Sequence, residues 1–477
     1  MPRKGSLSSP TSWSTSGAPS GGTWLPDGKY AVALAIMMFV LFFYMTVPEA
    51  TFGGDRDLAV PDPNPFYRIL KFGLLTLGIA VAIWRSSLAL LILRRLNLFF
   101  ITFVGMVALS ITWSIAPSFT GTRFVALCTI SLSCLAFVLV AWHPRRFQNV
   151  SRPILTLLLI ASLIFGIIAP DLAKESGDTL SLKDSWHGLF AQKNAFGQAA
   201  SIAIIFWVHG WLAREVKLWL AIVGVAIGAT CLLLSRSSTG MFAAVFAITL
   251  LFITIRAPTQ NPNHKRRYRS FVVVLFVLII LIYSLSALNL FPGLAFLFDP
   301  IISLTGKDAT FSGRTLIWEM IREHIAQRPL LGSGYGGYWV GPNPSSESYI
   351  MLQKLYVYPT ESHDGYLDII NDLGYVGLIC LLGYLLLFLR QSLALLKIDQ
   401  TQALLFLALL FHQLIINLTE TTWLQTASFN FVIMALAMFS LARAAVDQEL
   451  RARSLEAQQK ARAMSARPFR PVRLRQP

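Results

Sequence analysis

Phe124-Val-Ala-Leu-Cys-Thr-Ile-Ser-Leu-Ser-Cys-Leu-Ala-Phe-Val-Leu-Val-Ala-Trp142 runs for 19 residues without a charge. At about 1.5 Å per residue, a helix of roughly 20 residues crosses the ~30 Å hydrocarbon layer of a bilayer. Hydrocarbon offers backbone N–H and C=O groups no partners, so such a run satisfies them internally as a helix. Eleven further runs read the same way: Tyr30–Val47, Ile69–Trp84, Leu98–Ile115, Ile154–Ala169, Ala195–Trp211, Leu218–Leu234, Met241–Ile255, Phe271–Phe291, Leu373–Leu389, Ala403–Leu418 and Trp423–Leu441. Together they predict an all-α polytopic membrane protein of about twelve transmembrane helices. Several are short, so their flanks complete the span. Ser86–Leu93, between Arg85 and Arg94, reads either as an extension of the second helix or as a segment lying along the interface.

The whole chain carries the same signal. It has 477 residues, of which 55% are hydrophobic and 13% charged, with mean hydropathy +0.59. A soluble chain carries about 25% charged residues. These values exclude a soluble multi-domain enzyme, a disordered regulator and a secreted disulfide scaffold. Cys128, Cys134, Cys231 and Cys380 all fall inside apolar runs, which implies neither a disulfide nor a cysteine metal site. No internal repeat of the transporter kind is present in the sequence.

Charge sets the expected orientation. With the N-terminus in the cytoplasm and sides alternating, 27 of the 40 Lys/Arg residues fall inside and 18 of the 24 acidic residues outside. Cytoplasmic loops favour cations, so the net charge of +16 reads as orientation and needs no nucleic-acid partner. The expected organisation is a disordered cytoplasmic tail over 1–29, nine helices over 30–291, a periplasmic loop domain over 292–372, three helices over 373–441 and a basic cytoplasmic tail over 442–477. Tyr30–Val47 reads as an uncleaved span, since no basic segment stands directly against a short apolar one with a cleavage site. The C-terminal tail is suited to anionic lipid.

The long outer segment holds the residues with chemical potential. Phe311-Ser-Gly-Arg-Thr-Leu-Ile-Trp-Glu-Met-Ile-Arg-Glu-His-Ile325 reads as a helix starting near Ser312, with one apolar stripe, ended by Arg328-Pro329. Arg314 sits in its first turn, where free N–H groups already favour an anion. Two readings fit: a bound anion, or a pairing with a neighbouring carboxylate. Gly332-Ser-Gly-Tyr-Gly-Gly-Tyr338 reads as a glycine-rich turn back to the membrane, since no strand precedes it and no helix follows, as a phosphate loop requires. Thr360-Glu-Ser-His-Asp-Gly-Tyr-Leu367 then leads into the tenth span. It places His363 at the hydrocarbon boundary beside a helix with Asp364, Asp368 and Asp372 at i, i+4 and i+8. Histidine suits proton transfer near neutral pH, and a nearby carboxylate orients it. His324 reads as an ordinary helix-surface position.

On the same side, Arg236 occupies the turn Ser235-Arg-Ser-Ser-Thr-Gly240, while Lys193 and Asn194 stand at the mouth of the sixth span. Cations converging above a bundle suit a diphosphate. Ion-coupled transporters need charges at the midplane, but here the polar groups gather at the outer rim. That distribution suits chemistry on a lipid-linked substrate.

These motifs, taken together, carry a resemblance. Trp113-Ser-Ile-Ala-Pro117, Ser235-Arg236, Ser312-Gly-Arg314 with Trp318, Arg328-Pro-Leu-Leu-Gly-Ser-Gly334, Ser362-His-Asp-Gly-Tyr-Leu367 and Leu373-Gly-Tyr-Val-Gly-Leu378 resemble the O-antigen ligase / O-antigen polymerase superfamily. Trp186, Gly188-Leu-Phe190 and Gln192-Lys-Asn-Ala-Phe-Gly197 are similar to its exopolysaccharide-production (ExoQ-type) branch. The likeness covers roughly Leu98 to Leu441. It implies a GT-C-like fold in the bacterial inner membrane and metal-independent, inverting glycosyl transfer from an undecaprenyl-diphosphate-linked glycan, with no cofactor. By motif, His363 looks like the general base, and Arg236 and Arg314 look like the groups that neutralise the diphosphate. Lys193 joins them on charge alone, with Asn194 and Asp364 as lesser candidates. A polymerase of repeat units is the leading expectation; a ligase onto lipid A-core is the alternative, and a transporter of lipid-linked sugar a further one. A chain-length regulator and a flippase are expected partners.

Overall fold

The computed structural model describes residues 30–47, 65–175, 184–255, 261–287, 314–356, 358–426 and 428–465. The N-terminal tail, most of Pro48–Tyr67, residues 288–313 of the long loop and the end of the basic tail lie outside the described residues. Among those described, regular structure is helical apart from one isolated bridge between Lys174 and Trp186. The helices are α1 (Ala31–Thr46), α2 (Pro65–Trp84), α3 (Ser86–Arg95), α4 (Leu98–Ser110), α5 (Pro117–Val140), α6 (Arg146–Ile168), α7 (Pro170–Ala173), α8 (Lys193–Leu212), α9 (Leu218–Ser235), α10 (Ser238–Ile255) and α11 (Pro262–Ala287). Then follow α12 (Arg314–Gln327), α13 (Tyr349–Leu355), α14 (Gly365–Leu395), α15 (Gln400–Ile416) and α16 (Phe429–Ser465).

Each of the twelve apolar runs contains helix over most of its described residues. Eight of these helices are long and apolar enough to cross a membrane (α2, α5, α6, α8, α9, α10, α14, α16), or nine if the bent pair α3/α4 is one span. The helices α1 and α15 are shorter and apolar, and α11 takes the remaining run. The protein is an all-α polytopic membrane protein.

The structure sets three boundaries. Ser86–Arg95 is a helix separated from α2 by a break at Arg85, and it meets α4 at 101°. The corner forms at Leu96 in extended conformation and at Asn97, whose Oδ1 accepts from the N–H groups of Phe99 and Phe100 at 3.1 and 3.4 Å and so caps α4. The helix that carries the tenth apolar run begins before Leu373, as the spacing of Asp364, Asp368 and Asp372 anticipated. Asp364 accepts from Tyr366 and Leu367 N–H at 2.9 and 3.0 Å and starts α14 at Gly365. Asp368 and Asp372 therefore lie inside the helix, fully buried against protein rather than exposed above it. The last long helix begins at Phe429, after a turn that buries Trp423.

Two devices hold the site end together. The first is an aromatic cluster in which Trp318, Met320, Ile321 and Ile325 of α12 pack with Tyr338, Trp339, Met351, Leu367 and Ile370. Burying each large apolar side chain there contributes about 1.5–3 kcal/mol. The second is a close crossing of two backbones. Gly374 breaks α14 with φ 66°, and a Cβ there would lie 2.1 Å from the Leu330 carbonyl oxygen. The N–H of Tyr375, freed by the break, donates to Pro329 O at 2.8 Å. Across the same crossing Ser333 N–H donates to Asn371 O and Gly334 N–H to Asp372 O, both at 2.9 Å, and Gly336 N–H donates to Asp372 Oδ2 at 2.8 Å. The glycine-rich segment is thus a turn that clamps the first half of α14, as its sequence suggested.

Candidate active site

Asp368 connects the two chain segments that carry the site. Its Oδ2 accepts from Ser362 N–H at 3.0 Å and from the Thr421 hydroxyl, and its Oδ1 from Trp339 Nε1 at 2.9 Å. Ser362 and Thr421 are the immediate neighbours of His363 and Glu420. One buried carboxylate therefore brings together two positions that are far apart in sequence. On the other side Trp318 Nε1 donates to Ser362 O at 2.9 Å, fixing α12 against the same turn. His363 adopts φ 57°, in the left-handed region that a non-glycine residue occupies only when its surroundings enforce it.

Glu420 is the centre of the arrangement and is buried, with 3% of its surface exposed. Its Oε1 accepts from Asn194 Nδ2 at 2.7 Å and from an Arg314 guanidinium nitrogen at 3.1 Å. A second Arg314 nitrogen donates to the Thr419 carbonyl. The Arg314 pairing anticipated from its helix position is thus with Glu420. His363 Nδ1 lies 3.1 Å from Glu361 Oε1 and 3.5 Å from Glu420 Oε2. These are ion-pair distances, but none of the three atoms makes an aligned hydrogen bond among the described residues.

The electrostatics follow from this packing. Burial alone would lower the His363 imidazole, but the facing Glu361 and Glu420 carboxylates outweigh it and push it up to about 10. Burial raises the Glu361 carboxyl, against the pull of His363. Burial works the same way on Glu420, yet His363 and Arg314 together hold it below the ordinary glutamate value. The imidazole is therefore cationic at neutral pH and balanced by two carboxylates.

The other expected site residues take different places. Arg236 caps the C-terminus of α9 with φ 50° and is exposed. Its turn reaches the site through Thr239, whose hydroxyl accepts from Thr419 Oγ1 at 2.8 Å. Lys193 opens α8 next to Asn194, and its N–H donates to Glu175 Oε1 at 2.8 Å. Asp364 commits one oxygen to capping α14, and burial pushes its carboxyl up to about 7. The structure thus brings Asn194, Arg314 and His363 onto one carboxylate, with Lys193 and Arg236 on adjoining segments.

His324 is not a surface position. It is buried, with Nδ1 2.6 Å from Asn371 Oδ1, Nε2 2.9 Å from Glu347 Oε2 and its ring 4.3 Å from that of Tyr338. The helix periodicity hid this, because α12 buries a polar residue alongside its apolar stripe. Sequence reasoning also passed over Glu361 and Glu420, and it named Asp368 only by its place on the helix. One signal was available: Glu420 is the only acidic residue between the last two apolar runs.

A polytopic helical bundle with an imidazole, two carboxylates and a guanidinium gathered at one end defines the class of protein. Residues 223–382 match the family model Wzy_C, described as O-antigen ligase. Over 276 residues the chain is 29% identical to the exopolysaccharide production protein ExoQ of Rhizobium meliloti (strain 1021). That match covers 54% of this chain and 56% of the relative, so the chain spans about half the length of the curated relative it matches. Both findings bear out the resemblance to the O-antigen ligase/ExoQ-type family. The family match contains Arg236, Arg314 and His363, whereas Lys193, Asn194 and Glu420 lie outside it.

Proposed function

We propose that the protein is an exopolysaccharide polymerase of the inner membrane, with the site on its periplasmic face and both termini in the cytoplasm. It transfers a glycan from undecaprenyl diphosphate to a hydroxyl of the non-reducing-end sugar of the next lipid-linked repeat unit. A sugar diphosphate is already activated. The enzyme must position the acceptor, remove its proton and neutralise the departing diphosphate. Arg314 and Arg236, with Lys193 beside them, supply the positive charge, and a guanidinium binds a phosphate bidentately.

His363 receives the acceptor's proton, in concert with the carboxylates facing it. An imidazolium cannot accept a proton, so the three groups act as a unit in which the resting proton moves to a carboxylate before transfer. The acceptor oxygen forms a bond to the anomeric carbon, and the bond to the diphosphate oxygen breaks with its electron pair on the leaving group. The observation that carries this reading is the meeting of Arg314 and His363 at Glu420. The proposed reaction draws on these side chains and on no cofactor. A flippase must supply the substrate to this face, and a chain-length regulator is the natural partner of a polymerase.

The family description favours a second reading, a ligase that moves a finished glycan onto lipid A-core. Lipid-linked glycans extracted from a deletion strain separate the two. Single repeat units on lipid support the polymerase, long unattached chains support the ligase, and no accumulation of either refutes both.

A further inference from the structure

Three polar atoms face one another at ion-pair distances without an aligned hydrogen bond among the described residues: Glu361 Oε1, His363 Nδ1 and Glu420 Oε2. They all lie within 4.8 Å of one another. A buried carboxylate oxygen without a donor is costly, and such atoms persist where a ligand completes them. Glu361 and His363 are partly exposed through their other atoms while Glu420 is buried, so the three facing atoms lie just beneath the surface on the Glu361–His363 side. A hydrogen-bonding group arriving from that side would reach them by displacing one of their mutual contacts.

We propose that Glu361 and Glu420 form, with His363, the subsite for the acceptor sugar, with the attacking hydroxyl held by the two carboxylate oxygens that face the imidazole. This assignment rests on the glycosyl-transfer reading and names the part of the site that takes the acceptor. Glu420 spans the two halves of the reaction. Its Oε1 holds Arg314 and Asn194, and its Oε2 faces the imidazole. The nucleophile is therefore placed beside the cation that meets the diphosphate. In the step itself the acceptor O–H bond breaks with its proton passing to the Glu361–His363–Glu420 group. The new C–O bond forms at the anomeric carbon as the diphosphate leaves with the old bonding pair.

Charge decides between a hydroxyl and a metal ion, which the same spacing also suits. The imidazolium faces both carboxylates and the Arg314 guanidinium faces Glu420, so positive charge already meets the cluster before anything binds. A neutral hydroxyl adds no charge to it. A dication would stand beside Arg314, whose nitrogen is 3.1 Å from Glu420 Oε1.

The test separates acceptor from donor binding on the full-length protein in lipid nanodiscs. The probes are the diphosphate-free oligosaccharide, released by mild acid from the lipid-linked repeat unit of a deletion strain, and undecaprenyl diphosphate alone. Glu361→Gln and Glu420→Gln should each weaken oligosaccharide binding by about tenfold or more, with Glu361→Gln leaving undecaprenyl diphosphate binding within about twofold. Equal loss of both probes in Glu361→Gln, or loss of neither, overturns the acceptor subsite. So does Mn2+ that binds the wild type at micromolar concentration, is lost in both variants and is needed for transfer. A wild type that binds undecaprenyl diphosphate but produces no polymer from lipid-linked units defeats the glycosyl-transfer reading instead, a result distinct from failure of either variant.

Discussion

The two ends of the bundle each hold a cluster of carboxylates and cations, and they differ in how those carboxylates are used. At the end away from His363, Glu215 accepts from Arg145 and Gln148 at one oxygen and from Arg152 at 2.9 Å at the other. Asp399 takes the second Arg145 nitrogen at 3.1 Å, Thr401 Oγ1 at 2.9 Å and Gln402 N–H at 3.1 Å. Every carboxylate oxygen in that cluster has a donor. At the His363 end, Glu361 and Glu420 each keep an oxygen with none among the described residues. The first cluster joins the loops before α6, α9 and α15, and the second leaves two carboxylate oxygens without an aligned donor among the described residues. Completeness of hydrogen bonding, rather than the presence of charge, separates a structural staple from a site.

That contrast can be broken in several ways. The largest effect should come from His363→Ala, with polymer in cells falling by roughly a hundred- to ten-thousandfold while the protein stays membrane-inserted. Normal polymer length and yield would remove the site from that end. Next is the staple. Glu215→Ala leaves Arg145 and Arg152 facing each other in a mostly buried setting, and removing one partner of a buried pair costs about 3–5 kcal/mol. The expected result is a lower unfolding temperature in nanodiscs with transfer per folded molecule unchanged; lost transfer at full stability would erase the distinction.

Arg314→Lys should reduce transfer by about ten- to a hundredfold, because a point charge cannot hold the Thr419 carbonyl and Glu420 together as the guanidinium fork does. Full activity in steady-state assays would mean that Arg314 contributes charge alone. The smallest effect is a displacement in pH. The Glu361–His363–Glu420 unit takes the acceptor's proton more readily once it has lost its resting proton, so transfer should rise as pH increases toward about 10, the value to which the Glu361 and Glu420 carboxylates push the imidazole. Glu361→Gln removes one of the two groups that raise the imidazole and should move this limb to lower pH. A limb unmoved or moved upward in the pH–rate profile would show that Glu361 does not govern the proton.

The sequence by itself determined the helical membrane class and the approximate place of each long helix, and it singled out Arg314 and His363 as candidates. Uncharged runs of membrane length have one stable conformation in hydrocarbon, and an arginine at a helix start beside a loop histidine stands out in a chain with few charges. Only the tertiary structure decided that Glu420 and Glu361 join them, that Asp368 holds their two segments together and that Asp368 and Asp372 are buried. Hydropathy penalises a carboxylate wherever it occurs, because its cost depends on partners that the linear chain does not reveal. Glu420 finds Asn194, Arg314 and His363 only after folding, and no local pattern in the sequence encodes contacts across such separations.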